Sequence, residues 1–167
     1  DIILGGKVIL DDGTTNVIIG KTNATGTNTS GATYYKENIL IGHNAGKSVG
    51  TNSTGGGDIF KENIAIGHGA MEDVSPTIHD ANATGNVAVG WSAMKSFHSG
   101  LNNTAIGSGA LIGSNASGSN NIGIGYTAGG TITSGSGNVV IGDASLTNAA
   151  GDDQLIIASG GSGGVTW

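Results

Sequence analysis

The sequence has no cysteine, one proline, few aromatic residues and few charged ones. Without cysteine, the chain has neither disulfide bonds nor thiolate chemistry. Two Trp, three Tyr and two Phe residues among 167 are too few to build a large conventional core around aromatic rings. No apolar run reaches the about 18 residues that indicate a membrane-spanning helix, so membrane insertion is not expected.

Basic residues are scarce, with six Lys and Arg against twelve Asp and Glu and a net charge of −6. They form no cluster, so the counterion release that drives nucleic-acid binding is not expected. Glycine is abundant instead and fills 33 positions, which is about three times its ordinary usage of roughly 7%. Ile, Val, Leu and Ala recur at regular intervals, whereas disordered chains lack such aliphatic residues. We therefore expect an ordered chain.

A five-residue pattern recurs along the chain: Asn, apolar, any residue, apolar, Gly. Seven copies begin at Asn16, Asn38, Asn63, Asn86, Asn103, Asn121 and Asn138, and the only departure among them is Thr104 at the first apolar position. Degenerate copies at Asp1–Gly5 and Gln154–Ala158 flank them, which makes nine in all. Repetition at such intervals is typical of solenoid proteins, in which each repeat stacks on the next. Positions are numbered below from the Asn as position one.

The spacing of the copies divides the chain into two parts of one continuous repeat domain. Neighbouring copies lie 22, 25 and 23 residues apart between Asn16 and Asn86, and 17, 18, 17 and 16 apart from Asn86 to Gln154. Residues 1–85 therefore predict a solenoid with long loop insertions, and residues 86–167 predict a tight solenoid with rungs of 16–18 residues.

The composition of the repeat favours strands over helices. Positions two and four are mostly β-branched, which suits a pleated sheet. The Gly at position five is unfavourable in a helix and predicts a corner with positive φ. We therefore predict an all-β fold, a β-solenoid or β-roll of about nine rungs.

Both faces of each short strand are apolar. Positions two and four point to one side and position three to the other, and position three is also apolar in most copies. Strands that are buried on both faces show such continuous apolar runs. One face can fill the inside of the coil, and identical chains are the simplest cover for the other, so we expect a parallel homo-oligomer.

The recurrent asparagines have two interpretations. They can stack from rung to rung as a ladder of side-chain amides that satisfy one another. Alternatively, they serve as turn residues, because Asn tolerates the left-handed conformation. In both cases the seven asparagines have a structural role and do not bind a ligand.

The motif Asn-x-Ala-Ile-Gly-x-x-Ala, clearest at Asn63–Ala70 and Asn103–Ala110, resembles a known class of repeats. It is similar to the head repeats of trimeric autotransporter adhesins. It is more similar to the Asn- and Gly-rich repeat arrays of tail-fibre proteins from phages and large viruses. Adhesin heads have a Ser-x-Ala-x-Gly half-repeat that this chain lacks, which favours the viral fibre. The segment Gln154–Trp167 also resembles the end of such arrays in phage proteins.

The resemblance implies a homotrimeric, non-enzymatic fibre without cofactors that attaches to a host surface. Its partners would be two further copies of itself and a host cell-surface glycan or protein. It would be located on the virion surface as part of a tail fibre. A cellular trimeric adhesin or extracellular filament subunit at the cell surface is the alternative, and a polysaccharide depolymerase is a third.

Aromatic side chains are the candidates for contact with a receptor or glycan, because aromatic rings stack on sugar rings. They are Tyr34, Tyr35, Phe60, Trp91 and Tyr126. The echo of aromatic, Lys, Glu and Asn at Tyr35–Asn38 and Phe60–Asn63 suggests paired loops on one side, since insertions in solenoids often form a common binding face. The alternative is that these rings cover the apolar edge of the solenoid.

His43 and His68 both follow the Gly of their repeat, and a pair of imidazoles is a candidate metal ligand set. Later copies carry Trp91, Ser108, Tyr126 and Asp143 at this position, which indicates an exposed site with no fixed chemistry. We therefore expect no metal.

Paired carboxylates cut polysaccharides in glycoside hydrolases. The acids of the C-terminal half, Asp143, Asp152 and Asp153, are isolated at predicted turns, so no enzyme is expected. Glu72 and Asp73 lie in a polar segment near Pro76 that predicts an ordinary surface excursion.

Overall fold

The computed structural model describes residues 7–9, 16–20, 35–47, 59–73, 82–113, 117–146, 148–158 and 165–166. Within these ranges the fold is all-β and contains no helix, as predicted. The strands are β1 (Lys7–Ile9), β2 (Val17–Gly20), β3 (Tyr35–Lys36), β4 (Ile39–Ile41), β5 (Ile59–Lys61), β6 (Ile64–Ile66), β7 (Asn82–Thr84), β8 (Val87–Val89), β9 (Gly100–Leu101), β10 (Thr104–Ile106), β11 (Ile122–Ile124), β12 (Val139–Ile141), β13 (Leu155–Ile157) and β14 (Val165–Thr166). No helix in the same ranges is long and apolar enough to cross a membrane.

A ten-stranded sheet contains the repeated motif, in the order β1-β2-β4-β6-β8-β10-β11-β12-β13-β14. From β2 to β13 all neighbours are parallel, and equivalent positions of consecutive repeats pair. Ala88, for example, pairs with Ala65 on one side and with Ala105 on the other. Each of these parallel strands directly follows the Asn or Gln of one copy of the motif, where the repeat predicts a strand.

Two strands at the margins of this sheet run the opposite way. β1 is antiparallel to β2, and β14 is antiparallel to β13. The motif does not predict either strand, since neither contains the repeat. The predicted copy at Asp1–Gly5 lies outside the described residues.

A second, four-stranded parallel sheet has the order β3-β5-β7-β9. Its strands come just before four successive asparagines, from Asn38 to Asn103, and Tyr35 pairs with Phe60. The segments that were expected to be paired loops are therefore paired strands. These strands pair in register because the asparagine that follows each of them is hydrogen-bonded to the asparagine of the next repeat.

Beyond β9, side-chain oxygens take over as acceptors at the position two residues before each Asn or Gln. Leu101 N–H donates to Ser119 Oγ at 3.0 Å, Ser119 N–H donates to Ser136 Oγ at 3.1 Å, and Ser136 N–H donates to Asp152 Oδ1 at 2.7 Å. We call Ser119, Ser136 and Asp152 the serine relay. It links four successive repeats along the line of the second sheet.

The Gly at position five has the positive φ that the sequence predicts, for example +136° at Gly90. A Cβ atom on Gly90 would lie 2.5 Å from the carbonyl oxygen of Gly107, its equivalent in the next repeat. Glycine is therefore required twice, by the backbone angle and by the close approach of the next strand.

The residue before each repeat from Asn38 to Gln154 also has a left-handed backbone, whatever its side chain. It is Glu37, Glu62, Gly85, Asn102, Asn120, Gly137 or Asp153, with φ between 53° and 71°. This turn directs the chain from the second sheet into the first. Gly and Asn adopt it readily, whereas Glu does so at a cost.

The core lies between the strands at position three and the turns at positions eight and nine. Position eight is a fully buried alanine in five repeats, at Ala45, Ala70, Ala93, Ala110 and Ala128. Large and small residues complement one another: where Gly123 and Gly129 leave space, Leu111 from the preceding repeat fills it, within 3 Å of where their Cβ atoms would lie. Packing of this kind requires the repeats to stack in register.

Candidate functional site

The seven asparagines form one continuous buried column, in which each is at most 1% exposed. The Oδ1 atom of Asn38 accepts both the backbone N–H and the Nδ2–H of Asn63, at 3.0 and 3.2 Å. The Oδ1 atom of Asn63 does the same for Asn86. Gln154 ends the column by donating from its backbone N–H to Asn138 Oδ1 at 2.9 Å.

The same side chains also connect the two sheets. Asn38 Nδ2 donates to the carbonyl of Phe60 at 3.0 Å, and Asn63 Nδ2 donates to that of Ala83 at 2.9 Å. Each acceptor lies three residues before the next Asn. One asparagine therefore contacts the repeat before it and the repeat after it, which makes the column a structural element with no surface for a ligand.

The outer face of the ten-stranded sheet carries the residues at positions two and four of β2, β4, β6, β8, β10, β11, β12 and β13. We call this set the outer stripe. It is aliphatic in every strand except for Thr104, and its side chains are half-buried or exposed, with Ile106 at 42%. Exposed apolar surface that is contiguous over eight strands marks an interaction site.

A second row of surface residues, the surface column, lies at position six, directly after the position-five glycine of each repeat, and all its members except half-buried Ser108 are exposed. It comprises His43, His68, Trp91, Ser108, Tyr126 and Asp143. Trp91 is 60% exposed and Tyr126 is 64% exposed. Gly109 N–H donates to the carbonyl of Trp91, and Thr127 N–H donates to that of Ser108, both at 2.9 Å, so this row is stacked in register.

His43 and His68 are neighbours in the surface column, with stacked rings whose centroids lie 4.9 Å apart at an interplanar angle of 23°. Both residues are exposed. In the part of the chain that the structure describes, no third His, Cys, Asp or Glu joins them to form a group that could hold a metal ion.

The other aromatic candidates lie elsewhere. Phe60 is only 3% exposed and packs in the core, which corrects the expectation that it contacts a receptor. Its position, three residues before the Asn, belongs to Ala83 and Gly100 in later repeats, which are also buried. The backbone of Tyr35 lies in β3 beside Phe60, and Tyr34 lies outside the described residues.

An ion-pair cluster around one buried carboxylate occupies position ten of three successive repeats. Glu72 is buried and its carboxylate accepts from Lys95 Nζ at 3.0 Å and from Asn44 Nδ2 at 2.9 Å, while Lys47 Nζ lies 3.9 Å away. This corrects the expectation of a surface excursion at Glu72. The signal was present in the sequence, since Lys47, Glu72 and Lys95 are each nine residues after their Asn. With its carboxylate engaged, Glu72 acts in holding the repeats in register.

No family model, curated protein or solved structure matches this chain. Its function is therefore inferred from the repeat, the outer stripe and the surface column.

Proposed function

We propose that the chain is a structural and adhesive segment of a viral tail fibre: a β-solenoid of about nine rungs that assembles as a parallel homotrimer and attaches to a host surface. The outer stripe is the observation that carries the proposal. Two side chains per strand, over eight strands, face away from the core that the same chain forms, and all of them except Thr104 are aliphatic. A stripe of this kind requires a partner.

A second copy of the chain fits the stripe better than an unrelated protein. Strands in a sheet are spaced by about 4.8 Å, so the eight strands of the stripe extend over about 34 Å. The side chains of each strand form one ridge, and the ridges repeat at this spacing. A parallel copy has the same step, and each repeat then meets the same repeat of its neighbours. Closed rotational symmetry satisfies every stripe at once. The number three comes from the resemblance to trimeric fibre repeats.

Burial of the outer stripe also supplies hydrophobic stabilisation that one chain lacks. Each aliphatic side chain removed from water contributes about 1.5–3 kcal/mol when it is fully buried. The core of the single chain is narrow and rich in alanine, so a large share of its aliphatic surface lies in the stripe. Folding and assembly are expected to be coupled.

The test is the mass of the protein in solution, measured by light scattering and by native mass spectrometry. The unmodified chain is expected to have three times the mass of one chain. Ile106→Glu and Ile122→Glu place a carboxylate in the stripe and are expected to give monomers or unfolded chains. Leu101→Glu is the matched control, because Leu101 is equally exposed but belongs to the four-stranded sheet. A folded monomer of the unmodified chain would refute the proposal.

A further inference from the structure

The surface column contains a slot between two large rings. Trp91 follows β8, Ser108 follows β10 and Tyr126 follows β11, and these three strands are consecutive in the ten-stranded sheet. Hydrogen bonds from Gly109 N–H to the Trp91 carbonyl and from Thr127 N–H to the Ser108 carbonyl keep the three residues in one row. A small hydroxyl side chain therefore lies between an indole and a phenol.

The width of this slot is set by the sheet. Trp91 and Tyr126 are two strand steps apart, which is about 9.6 Å at the ordinary spacing of strands. Carbon atoms in contact lie about 3.5–4.0 Å apart, so one contact with each ring takes up about 7–8 Å of the separation between the rings. About 2 Å then remains for the thickness of the ligand's own carbon frame. A puckered six-membered sugar ring with its axial hydrogens has this thickness, whereas a flat aromatic ligand is thinner and leaves a gap.

The chemistry of the slot also suits a sugar. The faces of a pyranose present C–H groups to the rings, and aromatic side chains with a polar edge are effective partners for such amphipathic surfaces. Ser108, which lies between the two rings in the row, adds a hydroxyl that can donate and accept hydrogen bonds. Asp143 continues the row beyond Tyr126, where its carboxylate accepts a hydrogen bond from Thr127 Oγ1 at 3.2 Å and retains further capacity to accept.

We propose that Trp91 and Tyr126 hold one pyranose ring of a surface glycan between them, over Ser108. This deepens the attachment function proposed above and rests on it. Position six directly follows the stripe residue at position four and the Gly. The slot thus lies beside the proposed trimer face, and its two rings are exposed in the single chain, at 60% for Trp91 and 64% for Tyr126. A trimer presents three such slots, and a branched or repeating glycan that engages more than one gains avidity.

The test uses the full chain and a panel of methyl pyranosides of glucose, galactose, mannose and N-acetylglucosamine, with binding detected by saturation-transfer NMR and measured by titration. At least one is expected to bind in the millimolar range. Trp91→Ala and Tyr126→Ala are each expected to weaken that binding about tenfold, because each removes one of the two stacking faces. Leu101→Ala, which truncates an equally apolar exposed residue on the other sheet, is the control and should leave binding unchanged.

Ser108→Tyr is the decisive variant. It fills the slot with a side chain that the next repeat already carries at the same position, so the fold should tolerate it. If the slot binds the sugar, this variant loses binding although it has more aromatic surface. Equal or stronger binding by Ser108→Tyr, or no binding of any pyranoside by the unmodified chain, would overturn the proposal.

The mass of each preparation separates this inference from the proposed fibre. A trimer that binds no pyranoside refutes the slot and leaves the fibre standing. A folded monomer that binds one and loses it in Ser108→Tyr supports the slot and refutes the trimeric fibre.

Discussion

At the scale of single residues, the asparagine column makes the largest demand on the sequence. Asn86 makes hydrogen bonds to three buried groups of two residues: its Oδ1 accepts from the backbone N–H and Nδ2–H of Asn103, and its Nδ2 donates to the carbonyl of Gly100. A buried polar group without a partner costs about 1–3 kcal/mol. Any substitution in the column that does not restore both a donor and an acceptor is therefore expected to lower the free energy of unfolding.

Asn86→Ala is expected to lower the free energy of unfolding by about 3–5 kcal/mol, because three buried polar groups lose their partner. Urea denaturation followed by circular dichroism measures the change. Asn82→Ala is the control, since Asn82 is exposed at the start of β7 and its loss should matter by no more than about 0.5 kcal/mol. Equal stability of the two variants would show that the column contributes nothing beyond packing.

Glu62 has a backbone conformation that is unfavourable for glutamate. Its φ of 59° is left-handed, and its ion pair with Lys61 at 3.5 Å is exposed and so adds little. Asn102 and Asn120 have this conformation at the same position of later repeats.

Glu62→Asn is therefore expected to raise the free energy of unfolding by about 0.5–1 kcal/mol, because Asn tolerates the left-handed region better than Glu does. Glu62→Val should lower it, since a β-branched side chain is the least compatible with positive φ. Thermal melts of the three proteins side by side measure both changes. A destabilised Glu62→Asn variant would contradict this explanation.

At the scale of elements, the two sheets differ in how far the sequence predicts them. The strands of the ten-stranded sheet follow from the motif, because alternating aliphatic residues and the position-five Gly recur in each. The strands of the four-stranded sheet have no common pattern: β5 is Ile-Phe-Lys, β7 is Asn-Ala-Thr and β9 is Gly-Leu. They form because the amides of the asparagine column fix their carbonyls, which is a tertiary effect that no local preference reveals.

The candidate site divides in the same way. Trp91 and Tyr126 were found from the sequence as exposed rings, because their position accepts His, Ser and Asp as well. Phe60 was misplaced because its neighbours resemble those of Tyr35, while its burial depends on the second sheet. The cluster around Glu72 required alignment of position ten across three repeats with unequal spacing.

The serine relay supplies side-chain acceptors for part of a ladder whose other bonds remain between backbone groups, such as Asn120 N–H to the Leu101 carbonyl at 2.9 Å. Ser136→Ala removes the acceptor of Ser119 N–H and is expected to lower the free energy of unfolding by about 1 kcal/mol, the ordinary net contribution of one hydrogen bond. Ser136→Asp restores an acceptor, as Asp152 provides one in the last repeat, and should recover the loss. Hydrogen exchange at the Ser119 amide reports the bond directly. Unchanged exchange in Ser136→Ala would show that the bond is not formed in solution.

At the scale of the whole molecule, the described strands of each repeat contact only those of the repeat before it and the repeat after it. The stability of such chains is a sum of similar local terms, so a repeat can be removed without destroying the rest. Residues 103–120 are a suitable unit, because their removal brings Asn102 next to Asn121. Leu101 N–H then faces Ser136 Oγ, and flexible Met94 takes the place of Leu111 in the core.

Deletion of 103–120 is expected to give a folded all-β protein of lower stability, with circular dichroism like that of the full chain and the same number of subunits by mass. Deletion of 103–111, half of that unit, should abolish folding, because it places turn residues against strands. If both deletions fold, register does not govern the architecture. If neither folds, the repeats are not interchangeable units.

The asparagine column also gives the molecule a direction. Along the links from Asn38 to Gln154, each side-chain carbonyl points toward the following repeat, so the amide dipoles add head to tail as peptide dipoles do in a helix. The column therefore has a partial positive end at Asn16 and a partial negative end at Gln154. Two copies that meet end to end are favoured when their columns point the same way, so the two ends of the chain are not interchangeable in such a contact.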